Sequence, residues 1–186
     1  MDFASTFRAE VFRPVAVLIV PGAIASFPYF MLATKYFPDL ATYRDTHEIP
    51  YYAISFLLVL GVGLILEDLG SLIEAEVWDE KLERDHKIKD TWQKYLMLTL
   101  EKEPIGQRYL RAMVLRLKFE LGCSVAFVPF LFGMAWLNVA FPLISWCAYS
   151  ALAIGVTLMG AYLLWESYRG ARVLATLRKD LVASHK

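Results

Sequence analysis

Two groups of ionisable residues stand where apolar stretches end, and their types and spacing are the part of this chain that could do chemistry. Glu67, Asp68, Glu74 and Glu76 follow one apolar run, and Arg108, Arg111, Arg116, Lys118 and Glu120 precede another. If the two runs are antiparallel neighbours, Glu67 and Asp68 come level with Arg116 and Lys118. A carboxylate at the edge of an apolar layer is costly unless it is paired or hydrated, and Arg116 and Glu120 can also pair within one helix at i,i+4. Such a cluster serves as an ion-pair network that sets helix register, or as a charged vestibule, gate latch or ligand-binding ring. Glu67, Asp68, Glu74, Arg111, Arg116, Lys118 and Glu120 are therefore the ligand or gating candidates, and no residue is assigned a catalytic role.

Other chemistries find less in the sequence. A di-metal site in a helical bundle needs two Glu-x-x-His pairs on facing helices, and Glu83 to His86 supplies one. No metal or cofactor is expected. The run Arg44-Asp45-Thr46-His47-Glu48 concentrates oxygen and imidazole groups in a short connection, where solvation is their ordinary state. Cys123 and Cys147 both lie in apolar stretches without a CxxC or His partner, as thiols do when they act as small hydrophobes. Phosphate-binding, HExxH and GxSxG patterns are absent, so an enzyme would have to work from the charged interface with carboxylates and arginines. The reading leans away from an enzyme. A net charge of zero removes the simplest case for nucleic-acid binding.

The elements that must position these residues are apolar helices. Of the residues, 58% are hydrophobic, and charge is crowded between apolar blocks rather than spread along amphipathic faces. This points to lipid as solvent and to an all-α polytopic membrane protein with four transmembrane helices and helical cytoplasmic extensions. The spans are expected at about residues 15–37, 51–73, 119–140 and 143–165, each long enough for a hydrocarbon core of roughly 30 Å. Bends are expected near Pro21-Gly22, Pro28 and Pro129. A short polar connection is expected from Pro38 to Pro50, and Pro142 suits the first turn of the fourth helix. Residues 1–186 form one membrane domain, within which 74–115 make a cytoplasmic helical hairpin. Ile88, Trp92, Tyr95, Leu96 and Thr99 recur there at helical spacing, and Pro104 with Gly106 mark a turn. The third long helix starts near Gln107, and the fourth continues to about Val182.

Orientation follows from the cations. Seventeen of the 19 Lys and Arg residues fall on one face, which the positive-inside rule makes cytoplasmic. Both termini then lie in the cytoplasm of a multi-pass cell-membrane protein. Tyr36, Tyr51, Tyr52, Trp136 and Trp146 mark the outer interface, and Trp165 and Tyr168 the inner one. Cys147, Ala151 and Gly155 form a small-residue stripe for close helix packing, inside the bundle or between subunits, and Gly61 and Gly63 offer the same on the second span. No Asp, Glu, Lys, Arg or His falls near the middle of a span, which argues against proton relays and ion-coupled transport.

These features predict a homo-oligomeric channel-like or effector subunit, gated or engaged through its cytoplasmic helices. Its partners are the lipid bilayer and further copies of the chain. The alternatives are an accessory subunit docking a soluble cytoplasmic protein through Trp78, Trp92 and Tyr95, aromatics that could equally pack the hairpin's own core, and an interfacial enzyme acting on lipid.

Overall fold

The computed structural model describes residues 3–86 and 105–184, and every element within them is helical. The elements are α1 (Phe3–Tyr36), α2 (Pro38–Thr46), α3 (Glu48–Leu72), a π-helical segment (Ile73–Asp79), α4 (Glu80–His86), α5 (Ile105–Ala140) and α6 (Trp146–Ser184). Four of them contain stretches long and apolar enough to cross a membrane, at Val15–Tyr36, Glu48–Leu82, Ala112–Ala140 and Trp146–Leu177. The expected amphipathic helix around Trp92 and Tyr95 lies outside the described residues.

Helix α5 is the axis of the assembly: α1, α3 and α6 all pack on it, and α1 also packs on α3. The contact between α1 and α3 is backbone against backbone. A Cβ on Gly22 would collide with the Val59 carbonyl oxygen, and one on Gly63 with the Leu18 carbonyl oxygen. Gly61, grouped with Gly63 in the sequence, has open space where its side chain would be. Against α5 the prolines of α1 act as knobs. Pro21 and Pro28 are fully buried, and a Cβ on Gly122 would lie 3.2 Å from the Pro21 ring, one on Gly133 2.6 Å from the Pro28 ring. The helix stays continuous through both prolines. Two tyrosines fasten α5 further along: Tyr29 Oη donates to the Pro129 carbonyl at 3.0 Å, and Tyr149 Oη to the Leu131 carbonyl at 3.1 Å.

The connections differ from their sequence expectations in three places. The segment after Pro38 is a helix, because Pro38 stands at its first turn with φ already suited, Asp39 in that turn and Arg44 in the last, each favourable to the helix dipole. The fourth helix starts at Trp146, and Pro142 lies before it. Ser145 is the better cap: its Oγ accepts the Ala148 N–H at 3.2 Å, and its carbonyl accepts the Tyr149 N–H at 2.9 Å. Asn138 Oδ1 accepts the Ile144 N–H at 3.1 Å and so ties down the intervening link. Gly106, expected in a turn, falls in the first turn of α5.

The π-helical segment has a packing reason. Leu66, Gly70, Trp78 and Leu82 are all buried. The sixteen steps from Leu66 to Leu82, at about 100° each, would leave Leu82 about 160° away from Leu66 on an unbroken α-helix. The wider i→i+5 turns of Ile73–Asp79 wind more slowly and return Trp78 and Leu82 to the inner face. Trp78 joins a core with Leu82, Leu117, Leu121, Ala171, Leu174 and Ala175. It is 8% exposed, which corrects its reading as an exposed docking aromatic.

Two substitutions test the α1–α3 contact. Gly22→Ala and Gly63→Ala should each lower stability in detergent by about 1–3 kcal/mol, the range for overpacking a tight interface, whereas Gly61→Ala should not. Thermal unfolding of the three variants decides this; equal midpoints would show that the helices are not in backbone contact.

Candidate functional site

Four of the charged residues singled out in the sequence, Glu67, Arg116, Lys118 and Glu120, meet at one end of the helices. Lys118 Nζ on α5 pairs with Glu67 Oε1 on α3 at 2.5 Å. Arg116 on α5 spans two partners, Glu120 Oε1 at 2.7 Å one turn along its own helix and Glu166 Oε1 at 2.9 Å on α6. Glu120 is the most enclosed of these, its side chain 9% exposed against 64% for Arg116. The arginine reaches over the carboxylate from the rim, keeping its own head in the more polar surroundings. Glu67 and Lys118 are both partly enclosed.

Local helix geometry sets this arrangement. Arg116 and Glu120 share a face at i,i+4, while the neighbouring face carries Leu117 and Leu121 into the core. Lys118 leaves α5 on the other side and meets α3. One turn of one helix thus holds α3 and α6 by charge and the π-helical segment by apolar contact. Between α5 and α6 a groove of about 270 Å³ is lined by Arg116, Glu120, Glu166 and Arg169 over an apolar floor that includes Met113, Leu117 and Val173. The polar lining is balanced, two cations against two carboxylates, and the Arg116 guanidinium is engaged by both acids.

The remaining candidates fall elsewhere. Asp68 is exposed, next to Glu67 but outside the pairs above. Glu74 is half-buried in the π-helical segment. Arg111 lies on α5, and its side chain is outside the described residues. Glu166, the partner that joins α6 to the cluster, was not among the sequence candidates. Its signal was available as the first carboxylate after the fourth apolar stretch, directly following Trp165.

At the far end Arg44 and Asp45 pair at 2.9 Å; the Asp45 hydrogen bond raises the Arg44 guanidinium above its ordinary pKa. Thr46 Oγ1 meets His47 Nδ1 at 2.8 Å, and the group is largely exposed. Among the described residues no three His, Cys, Asp or Glu side chains come together to hold a metal ion. The small stripe of α6 faces outward: Cys147 and Ala151 are exposed, and Gly155 has nothing within 4 Å of where a Cβ would stand.

No family model, curated protein or solved structure matches the chain. Among the described residues the fold is all-helical, with four helices long and apolar enough to span a membrane.

The Glu67–Lys118 pair has a direct test. Glu67→Gln and Lys118→Gln should each destabilise the protein, and a double-mutant cycle should give a coupling of about 1–3 kcal/mol, as for a partly enclosed charged hydrogen bond. The exchange Glu67→Lys with Lys118→Glu should recover most of the loss. Additive single effects would show that the pair carries no coupling.

Proposed function

We propose that this chain is a multi-pass cell-membrane protein that works as a homo-oligomeric, channel-like or effector subunit, engaged through its charged cytoplasmic end. The observation that carries the reading is the uneven burial of the four spans. The most apolar windows of α1 and α5 are 39% and 33% buried, those of α3 and α6 only 11% and 6%. Helix α6 therefore leans on α5 and leaves its other faces to lipid or to a second copy, with Cys147, Ala151 and Gly155 allowing close backbone approach there.

A single chain of this packing leaves little room for an aqueous path, since α1, α3 and α5 meet through glycine, proline and alanine contacts. Conduction would require several copies around an axis, with apolar span faces forming a constriction that gates by dewetting. The ion-paired turn of α5 supports the engagement step. A ligand or partner that pulled Arg116 from Glu166, or Lys118 from Glu67, would shift α6 or α3 against α5, and it would act only through a difference in affinity between the two arrangements. The accessory-subunit alternative rests on fewer exposed aromatics now that Trp78 belongs to the core.

The placement of both termini and the charged end in the cytoplasm rests on the cation asymmetry. It predicts that a cysteine at Asp39→Cys, on exposed α2 and in a chain whose Cys147 is replaced by Ala, is labelled by an impermeant thiol reagent on intact cells. Labelling only after permeabilisation would invert the topology. Native mass spectrometry in mild detergent tests the assembly. The wild type is expected as a discrete homo-oligomer of about four or more copies, since a path lined by span faces requires several subunits around an axis. Gly155→Leu is expected to shift it towards the monomer with helicity unchanged. A monomeric wild type would sink the homo-oligomer reading.

A further inference from the structure

Three cations beside the ion-paired turn have a different environment from those within it. Lys81 Nζ lies 5.6 Å and the Arg172 guanidinium 5.3 Å from the centre of the same Tyr168 ring, and the Arg169 guanidinium lies 5.7 Å from the centre of the Trp165 ring. All three side chains are exposed. Among the described residues none makes an ion pair, although Arg116 and Lys118 nearby are matched to carboxylates. Glu166, the acid nearest in sequence to Arg169, is held by Arg116. Three exposed cations are therefore gathered over two aromatic rings, and Glu166, which shares the groove with Arg169, is already engaged by Arg116.

Depth identifies what these cations can meet. Trp165 ends the apolar stretch of α6 and is 56% exposed. Arg169 and Arg172 follow Glu166 by three and six residues, which at about 1.5 Å per residue places them roughly 4.5 and 9 Å further along the axis. The headgroup layer outside the hydrocarbon is about 5–8 Å thick on each side, so Arg169 stands within it and Arg172 just past its outer edge, from where a long side chain leaning back along the helix reaches it. A guanidinium binds phosphate oxygens in a bidentate fashion, and an aromatic ring at that level anchors the helix at the lipid interface.

We propose that Lys81, Arg169 and Arg172 form a binding site for the phosphate of an anionic phospholipid headgroup, with Trp165 and Tyr168 as its aromatic walls. The site rests on the reading that this end of the helices meets a membrane surface, but not on how many copies assemble. Bound there, a headgroup bridges the π-helical segment and α4 to α6, the two elements that Trp78 and Tyr168 already join by an edge-on ring contact at 5.9 Å.

The test uses the full chain in a neutral detergent, with bound lipid counted by native mass spectrometry against dioctanoyl phosphatidylglycerol, dioctanoyl phosphatidylcholine and inorganic phosphate. Wild type should retain phosphatidylglycerol in preference to phosphatidylcholine. The double variant Arg169→Gln with Arg172→Gln should bind phosphatidylglycerol about tenfold or more weakly, from the contribution of each cation at a headgroup. Lys81→Gln should weaken binding by a smaller factor. Arg84→Gln, which removes an exposed cation already paired with Glu80, should leave it unchanged. Far-ultraviolet circular dichroism on each variant separates loss of binding from loss of fold. Equal retention of the two lipids, or equal binding by wild type and the double variant with helicity intact, would overturn the site. Displacement of phosphatidylglycerol by inorganic phosphate at equal concentration would overturn its lipid nature and leave a site for a soluble phosphate. Thiol labelling at position 39 reads the topology independently of all these outcomes.

Discussion

Three consecutive residues of α5 point in three directions, and much of the charged end depends on them. Side chains on an α-helix step by about 100° per residue, so Arg116, Leu117 and Lys118 cannot share a neighbour. Arg116 reaches Glu166 on α6, Leu117 enters the core beside Trp78, and Lys118 reaches Glu67 on α3. A central helix is the only kind that can use all three directions, and α5 is the helix on which the other long ones converge. Apolar contact and charge are interleaved at one level, so moving one neighbour of α5 disturbs the contacts of the others.

Away from that level the fold relies on shape. Where apolar helices meet, small residues let their backbones approach closely. Gly22 against Val59, Gly63 against Leu18, Gly122 under Pro21 and Gly133 under Pro28 are such contacts. They hold α1, α3 and α5 as a compact group. Tyr29 and Tyr149 add hydrogen bonds to the carbonyls of Pro129 and Leu131, just beyond the point where the missing proline N–H interrupts the helical ladder. Helix α6 contributes less to this group and keeps its small-residue stripe outside it.

The π-helical segment links the two regimes. Below it, α3 is placed by backbone contact with α1; beyond it, Trp78 and Leu82 are placed by the core against α5 and α6. An uninterrupted α-helix would satisfy one set of contacts and turn the other towards solvent. The wider turns reconcile them, at the cost of poorer helical geometry that the burial of Trp78 and Leu82 offsets.

The sequence by itself determined the four apolar helices, their approximate ends, the level of the charged cluster and the i,i+4 pair of Arg116 with Glu120. Those features depend on composition and on distances of a turn or two along one helix. The tertiary structure decided which carboxylate meets which cation. It selected Glu67 for Lys118, recruited Glu166 to Arg116 and left Asp68 outside. It also separated Gly63, which touches a backbone, from Gly61, which touches nothing, and took Trp78 from the surface into the core. Each of those outcomes turns on the rotation of one helix about its axis relative to another. A shift of one residue rotates a side chain by about 100°, and only packing between helices distant in the chain, with the π-helical turns that it demands, sets that angle.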